Sequence, residues 1–197
     1  MAAGPLLVVL TGPSGAGKDS VLQRLQSLRR PYYFAITATT RAPRDGETDG
    51  ADYYFVTPQR FQQMLERGEL LEHATVYGRS YGVPSAPIRE ALAQGRDVIL
   101  RTDVQGARHI TAAVPATLTI FISVDSPEEL ERRLVERGHD SPEQMELRLN
   151  TALEEMRQAG DFSHTVINRD LDECTAEIER IIAAERQRPG RTPVSLE

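Results

Sequence analysis

The sequence predicts an α/β protein in which a parallel sheet carries helices on both faces. Three observations support this prediction. Short apolar runs alternate with segments of helical periodicity along most of the 197 residues. A glycine-rich loop follows the first apolar run. Residues from about 37 to 93 are richer in short strand-like segments, which indicates a partly antiparallel lobe inserted into a single domain.

The first βα unit contains the phosphate-binding pattern G-x-x-x-x-G-K. The apolar run at residues 6–10 predicts a buried strand, and residues 19–28 carry apolar side chains at helical spacing. Loop N–H groups and the dipole of the following helix attract phosphate, so the pattern predicts a nucleoside triphosphate site. The loop residues are Gly12, Pro13, Ser14, Gly15, Ala16, Gly17 and Lys18.

The residue after the loop lysine is unusual. A Ser or Thr hydroxyl there usually ligates Mg²⁺, but this chain has Asp19 followed by Ser20. A carboxylate is also a suitable oxygen ligand for Mg²⁺. Three alternatives stay open: Asp19 holds the metal, Ser20 supplies the hydroxyl, or Asp19 only caps the helix.

The remaining elements follow in order along the chain. Thr57-Pro58 and Ser126-Pro127 each place a capping residue before a proline, which predicts helices that begin there. The tail from 188 to 197 has two prolines and little apolar pattern, so we expect it to be frayed. The predicted strands are 33–38, 52–56, 70–77, 97–102, 117–124 and 165–168, and the predicted further helices are 58–67, 87–93, 127–137, 142–158 and 171–186.

Composition excludes several classes of protein. The fractions of hydrophobic (40%) and charged (26%) residues are those of a globular protein, and no apolar run approaches a membrane span or a signal peptide. The net charge of −6 argues against a general nucleic-acid binder. Cys174 stands alone and the four histidines are scattered, which predicts neither an intrachain disulfide nor a metal cluster. We therefore expect a cytoplasmic protein with no membrane or nucleic-acid partner.

Several further segments together resemble guanylate kinase, a nucleoside monophosphate kinase of the P-loop class. They are TATTRAPRDGE (37–47), GADYYF (50–55), LEHA (71–74), YG (81–82) and DVQGA (103–107), followed by ELERRL (129–134), RG (137–138), RL (148–149) and VIN (166–168). The resemblance extends from residue 6 to about residue 186 and is far more specific than the phosphate loop alone.

The resemblance implies transfer of the γ-phosphoryl group of ATP to GMP, with Mg²⁺, giving ADP and GDP. It also implies a parallel-sheet P-loop kinase core with helices on both faces, a mixed GMP-binding lobe and a helical lid. Whether dGMP is accepted, and whether the protein is a monomer or a homodimer, stay open. The implied boundaries are about 1–36, 94–137 and 159–187 for the core, 37–93 for the lobe and 138–158 for the lid.

Site residues are implied position by position. Glu72 matches the residue that recognises guanine, and Asn168 matches a residue on the adenine side of the ATP site. The loop from Gly12 to Ser20 matches the residues that bind the ATP phosphates. The residues matching the GMP phosphate site are Arg41, Arg44, Tyr53 and Tyr81, and Thr37, Val83 and Asp103 match guanine-side positions. The residues expected to neutralise the transferring group are Lys18, Arg41, Arg133, Arg137 and Arg148.

Three positions depart from the family pattern. Asp19 replaces Ser or Thr, Arg101 stands where the family usually has Asp, and Val83 stands where a hydroxyl commonly helps to bind guanine. The strand that carries residue 101 should end beside the phosphate loop. We therefore hypothesise that Asp19 pairs with Arg101, as a charge exchange across the metal site.

Two other functions are compatible with parts of the sequence. Ribose bisphosphate kinases of the phosphonate pathway resemble guanylate kinase and commonly carry Gly-Lys-Asp-Ser, as residues 17–20 do here. Glu72 and the intact 39–44 segment argue against that substrate, because a sugar phosphate has no base to recognise. Non-catalytic interaction modules of guanylate-kinase type lose a working phosphate loop, whereas this chain keeps one.

Overall fold

The computed structural model describes residues 4–76, 78–136 and 142–196. Its central sheet has five parallel strands in the order β2-β7-β1-β8-β9. Helices cover both faces, which confirms the predicted fold class. The strands of this sheet are β1 (Leu7–Thr11), β2 (Tyr33–Phe34), β7 (Val98–Arg101), β8 (Leu118–Ser123) and β9 (His164–Ile167).

The alternation of side chains along β1 divides the core in two. Leu6, Val8 and Leu10 pack into one cluster with α1 (Lys18–Ser27) and α7 (Leu171–Gln187). The intervening Leu7 and Val9 pack into a second cluster with α3 (Ser85–Ala93) and α4 (Val104–Ala113). Because both faces of the strand are buried, its sequence is a continuous apolar run.

A second sheet of four strands, in the order β4-β3-β6-β5, stands beside the central sheet. Strand β3 pairs in parallel with β4 and antiparallel with β6, and β5 and β6 form an antiparallel pair. The Thr57 hydroxyl accepts a hydrogen bond from the Arg60 amide (3.1 Å) and caps the following helix, as predicted. These elements are β3 (Thr37–Thr39), β4 (Tyr53–Phe55), α2 (Pro58–Glu66), β5 (Leu70–Val76) and β6 (Arg79–Pro84).

Two sequence predictions are corrected by the structure. The single strand predicted at 33–38 is two strands of different sheets, since Tyr33 and Phe34 pair with β7 whereas residues 37–39 pair with β4 and β6. Local periodicity does not reveal a change of pairing partner. Helix α4 was not predicted, although Asp103 caps it by accepting from the Gly106 amide (2.7 Å). The sequence signal of this helix is the helical spacing of its buried apolar residues Val104, Ala107 and Ile110.

A third cluster holds two further helices together beside the phosphate loop. Helix α5 (Pro127–Glu136) contributes Leu130 and Leu134, and α6 (Pro142–Arg157) contributes Ala152. Of the predicted lid at 138–158, residues 138–141 lie outside the described residues, and so does Arg137. The lid boundaries and its movement stay predictions.

The tail contacts the body of the protein. Residues 188–196 form neither helix nor strand, but Val194 and Leu196 pack partly against the second cluster. The Arg191 guanidinium donates to the Pro5 carbonyl (3.4 Å). The predicted flexibility of this segment stays a prediction. Across the described ranges, no helix combines the length and apolarity that a bilayer span requires.

Candidate functional site

One cleft of about 530 Å³ brings most of the sequence-predicted site residues together. It lies at the carboxyl ends of β1 and β7, where parallel sheets commonly bind ligands, and the second sheet and α6 form its other walls. Its lining includes Gly12, Ser14, Gly15, Gly17, Lys18 and Asp19 from the loop region, Thr37, Tyr53, Glu72, Tyr81, Arg101, Thr102, Asp103 and Gln105 from the centre, and Leu147, Arg148, Thr151 and Glu155 from α6.

The phosphate loop requires its glycines. Gly12 and Gly17 have φ angles of 138° and 88°, which side-chain-bearing residues rarely adopt. A Cβ atom on Gly12 would overlap the Ile122 carbonyl oxygen, and one on Gly17 would overlap the Asn168 amide nitrogen. The Lys18 ammonium donates to the carbonyl oxygens of Gly12 (2.6 Å) and Pro13 (2.8 Å), so its charge lies over the loop.

Asn168 supports the loop from behind. Its buried side-chain amide donates to the Ala16 carbonyl (2.8 Å), and its own backbone carbonyl accepts from Arg133 (2.8 Å). Glu129 in turn holds the Arg133 guanidinium at 2.6 Å. The structure therefore places Asn168 and Arg133 in the scaffold that shapes the loop, and their nucleotide contacts stay predictions.

Helix α6 lies over the loop through two polar contacts. Arg148 donates to the Ser14 hydroxyl (3.3 Å), and the Ser14 amide donates to the Glu155 carboxylate (3.3 Å). Burial raises the pKa of Glu155, against the opposing effect of Lys18. Sequence reasoning missed Glu155. The available signal was its spacing, because residues 148, 151 and 155 fall on one helix face.

Arg41 is held in a fixed orientation next to Tyr53, but among the described residues neither Arg41 nor Arg44 lines the cleft. Its guanidinium makes two hydrogen bonds to Glu47 (2.9 and 2.8 Å) and lies 5.2 Å from the centre of the Tyr53 ring. The Glu47 carboxylate also accepts from the backbone amide of Arg44 (2.7 Å), whose side chain is exposed. Glu47 had no role in the sequence analysis, yet it organises the loop that carries both arginines.

Glu72 is the least satisfied polar side chain in the cleft. Only 6% of the residue is exposed, and Oε1 accepts from the Thr102 hydroxyl (3.1 Å). Oε2 has no hydrogen-bond partner among the described residues, and a Cβ atom on Gly106 would lie only 2.8 Å from it. Burial raises the Glu72 pKa to about 7, although the Thr102 hydrogen bond opposes this and Asp103 adds to it. A buried carboxylate oxygen without a protein partner is placed to accept a hydrogen bond from a water molecule or a ligand in the cleft.

The other residues predicted on the guanine side are divided between cleft and core. Thr37, Tyr81 and Asp103 line the cleft. Val83 is only 1% exposed and packs in the second hydrophobic cluster with Ile88, because its isopropyl group is apolar. The structure therefore places the Val83 side chain in the core.

The Asp19–Arg101 ion pair hypothesised from the sequence is present. The Arg101 side chain is 19% exposed and the Asp19 side chain 57% exposed, so the cation is the more buried partner. Burial lowers the pKa of the Arg101 guanidinium, which nevertheless stays charged as arginine does in proteins. Arg101 also donates to the Tyr53 hydroxyl (2.7 Å).

A divalent cation would depend mainly on Asp19 for protein ligation. Among residues 4–76, 78–136 and 142–196, no three His, Cys, Asp or Glu side chains form a cluster able to hold a metal. Asp19 and Ser20 are both exposed in the first turn of α1, and of the two it is Asp19 that lines the cleft. Mg²⁺ commonly binds to one or two carboxylates, phosphate oxygens and water, so this donor set fits it.

Comparisons with known proteins identify relatives of this chain. The sequence model of the family described as guanylate kinase matches residues 5–185. A guanylate kinase of Thermus thermophilus is 44% identical over 191 residues, which are 97% of this chain and 86% of that protein. Guanylate kinase 2, chloroplastic/mitochondrial, of Oryza sativa subsp. japonica is 41% identical over 98% of this chain and 68% of its own length. The crystal structure of guanylate kinase from Anaplasma phagocytophilum superposes with a TM-score of 0.80 at 30% identity, covering 96% of this chain and 90% of that one.

Proposed function

The chain belongs to the guanylate kinase family, and from this premise we propose that it transfers the γ-phosphoryl group of ATP to GMP, giving ADP and GDP. The observation that carries the proposal is the pairing of two features in one cleft. A complete phosphate loop forms one side, and the cleft also contains the buried Glu72 carboxylate, whose Oε2 has no partner in the part of the chain that the structure describes. The loop suits a triphosphate, and the carboxylate suits a base that carries two adjacent N–H donors.

Glu72 accounts for the choice of base. Guanine presents N1–H and an exocyclic amine side by side, and an ionised carboxylate can accept from both. Adenine has no such pair of donors, so it would leave a buried carboxylate oxygen unpaired. By analogy with base recognition in nucleic acids, a two-point contact of this kind contributes about 1–3 kcal/mol of discrimination.

The acceptor phosphate is proposed to bind where Tyr53 and Tyr81 line the cleft, with Arg41 next to Tyr53. Arginine forks match phosphate oxygens, and the phenol groups of Tyr53 and Tyr81 can donate further hydrogen bonds. The Arg41 fork is already oriented by Glu47, which reduces the side-chain entropy lost on binding. We assign Arg44 to the same phosphate as a more exposed partner.

Phosphoryl transfer then needs positioning and charge neutralisation rather than covalent chemistry by the protein. An oxygen of the GMP phosphate attacks the γ-phosphorus in line as the bond to ADP breaks. Lys18 stabilises charge on the donor phosphates, and Arg148 approaches from α6 beside Ser14. Arg133 acts through the loop scaffold, and Arg137 is assigned to the same charge-neutralising set on resemblance alone.

The metal is proposed to be Mg²⁺, as kinases that use ATP generally require. Asp19 would hold it, directly or through water, together with phosphate oxygens of the nucleotide. When bound, Mg²⁺ supplies neutralisation of the phosphate charge that develops during transfer.

The proposed partners are limited to small molecules. We propose ATP as donor and GMP as acceptor, with dGMP as a further candidate acceptor, in a cytoplasmic protein that is a monomer or a homodimer. A net charge of −6 disfavours nucleic acid as a partner. A single cysteine, Cys174, is compatible with a reducing compartment.

A coupled assay tests the function directly. ATP is supplied with GMP, AMP or ribose bisphosphate, and ADP formation is followed. We expect turnover with GMP only, and loss of that selectivity in Glu72→Gln but not in the matched control Glu66→Gln, whose side chain is exposed on α2. Turnover of the sugar without GMP would make the chain a sugar-phosphate kinase, and no turnover with any acceptor would contradict an enzymatic role.

A further inference from the structure

Arg101 connects the two ends of the cleft. It is the last residue of β7, and it pairs in register with Leu10, just before the phosphate loop. Its guanidinium forms the ion pair with Asp19 at the start of α1 and also donates to the Tyr53 hydroxyl of the second sheet (2.7 Å). A single planar cation therefore bridges the donor-binding loop and the proposed acceptor site.

The direction of the hydrogen bond to Tyr53 is fixed by chemistry. A guanidinium has N–H donors and no acceptor, so the Tyr53 oxygen must accept from Arg101. The phenolic hydrogen is then left to point away from Arg101. It is available to donate to an anion in the cleft that Tyr53 lines.

The surroundings favour a fixed orientation of the Tyr53 ring. The guanidinium carbons of Arg41 and Arg101 lie 5.2 and 5.6 Å from the ring centre, and the ring of Tyr81 packs edge-on at 6.3 Å. Burial raises the pKa of the Tyr53 phenol, so it stays a protonated donor at neutral pH. Tyr53 is thereby oriented by contacts with two arginines, Arg41 and Arg101.

The Arg101 charge is compensated on the loop side. Its side chain is largely buried, and a buried cation is costly unless a partner and hydrogen bonds satisfy it. Asp19 supplies the opposite charge and Tyr53 the additional acceptor. Removing either partner would leave the guanidinium incompletely satisfied, so the three side chains act as one unit.

We propose that Arg101 is a positioning residue, which aligns the Tyr53 hydroxyl for the acceptor phosphate and ties that alignment to the phosphate loop through Asp19. This inference rests on the proposed function, because the acceptor phosphate is the ligand that Tyr53 would meet. It assigns a role to a position where the family pattern has an acid, and it predicts that the effects of Arg101 and Tyr53 on GMP use are coupled.

The test is a double-mutant cycle on the full-length protein with ATP and GMP. Arg101→Gln and Tyr53→Phe should each raise KM for GMP about tenfold to a hundredfold, the range for losing a hydrogen bond to a charged group. The double variant should be little worse than the worse single variant. Arg101→Lys keeps the charge without the planar fork, so its KM for GMP should be raised as in Arg101→Gln.

The matched control is Arg24→Gln, which breaks another Arg–Asp ion pair, the one with Asp172 between α1 and α7. We expect this control to keep KM for GMP within about twofold of wild type, as for exposed pairs. Urea unfolding of every variant identifies effects that come from loss of folding. If Arg101→Gln folds poorly, Tyr53→Phe still tests the hydroxyl, because it retains the aromatic ring.

Each outcome decides the inference. Additive effects of Arg101→Gln and Tyr53→Phe, or a wild-type KM in Arg101→Gln or Arg101→Lys, would overturn it while leaving the proposed function intact. A wild-type protein that does not phosphorylate GMP would overturn the proposed function and this inference together.

Discussion

The Glu155 carboxylate of α6 accepts a hydrogen bond from the backbone amide of Ser14, 141 residues away in the phosphate loop (3.3 Å). Loop amides of this kind are the groups that hold phosphate oxygens in P-loop proteins. Burial raises the pKa of Glu155, and the Lys18 charge opposes that shift. The contact therefore places a protein carboxylate against a donor that a nucleotide phosphate would also use.

Glu155→Gln is expected to tighten binding of an ATP analogue about threefold to tenfold at low ionic strength. The amide removes a negative charge that repels the triphosphate, and such effects are stronger when salt screening is weak. Titration calorimetry with a non-hydrolysable analogue measures the change. The matched control is Glu154→Gln, whose exposed side chain pairs with Arg157. Weaker binding in Glu155→Gln than in this control would contradict the prediction.

Glu72→Gln is expected to stabilise the unliganded protein at pH 8 by about 1–3 kcal/mol. The Glu72 pKa is raised to about 7, so the unfolded chain releases this proton at lower pH than the folded protein does. The contribution of Glu72 to the free energy of unfolding of the wild type therefore falls as pH rises from about 4.5 to 7, and it stays low above pH 7. The stabilisation should shrink at pH 5.5, where folded Glu72 is protonated, and urea unfolding at both pH values measures it. Equal stabilisation at pH 8 and at pH 5.5 would exclude the raised Glu72 pKa as its cause.

The same carboxyl group should make GMP binding pH-dependent. Only ionised Glu72 presents two acceptor oxygens to the paired N–H donors of guanine, because protonation turns one oxygen into an O–H donor, so the wild-type dissociation constant should fall as pH rises through about 7. A phosphate monoester also titrates, near pH about 6. Glu72→Gln serves as the reference, because it retains the phosphate effect and lacks the carboxyl one. Parallel pH profiles for the two proteins would contradict guanine recognition by Glu72.

Gly17→Ala should destabilise the protein by about 2–4 kcal/mol and weaken nucleotide binding by more than tenfold. Gly17 has a φ of 88°, and a Cβ there would displace the Asn168 amide from the Ala16 carbonyl. The matched control is Gly95→Ala, which has a φ of 75° but no atom within 4 Å of the added carbon. Thermal unfolding separates strain, present in both variants, from the clash at Gly17. Equal losses in the two variants would assign the whole effect to backbone strain.

Exchange of the charges at positions 19 and 101 tests whether the pair acts on the metal site. Asp19→Ser and Arg101→Asp together restore the arrangement that is usual in the family, whereas Asp19→Ser alone leaves the Arg101 cation unpaired and Arg101→Asp alone places two carboxylates side by side. We expect the double variant to recover at least about tenfold in kcat over Arg101→Asp alone, with a changed Mg²⁺ dependence. Kinetics at several Mg²⁺ concentrations measure this. Additive effects on transition-state free energy would show that the two positions act independently.

Much of the fold was predictable because its signals are local. The phosphate loop, the Thr57 cap and the central apolar strands each occupy a few consecutive residues whose types suffice to specify them. One error arose where strand pairing decides the structure. Residues 33–38 are continuous in apolar character, yet the chain leaves one sheet and enters the other within them. Helix α4 was recognisable from Asp103 and the spacing that follows it, and was overlooked.

Local residue patterns were sufficient to specify the phosphate loop, the α/β order of elements and the residue types available to each site. Tertiary structure alone decided what surrounds those residues. Glu72 acquires a pKa of about 7 because packing removes water from its carboxylate, and Arg101 meets Asp19 and Tyr53 because β1 and β7 end, and β4 begins, at one cleft. Desolvation and contacts across large sequence separations depend on the packed chain, and local sequence patterns carry no measure of either.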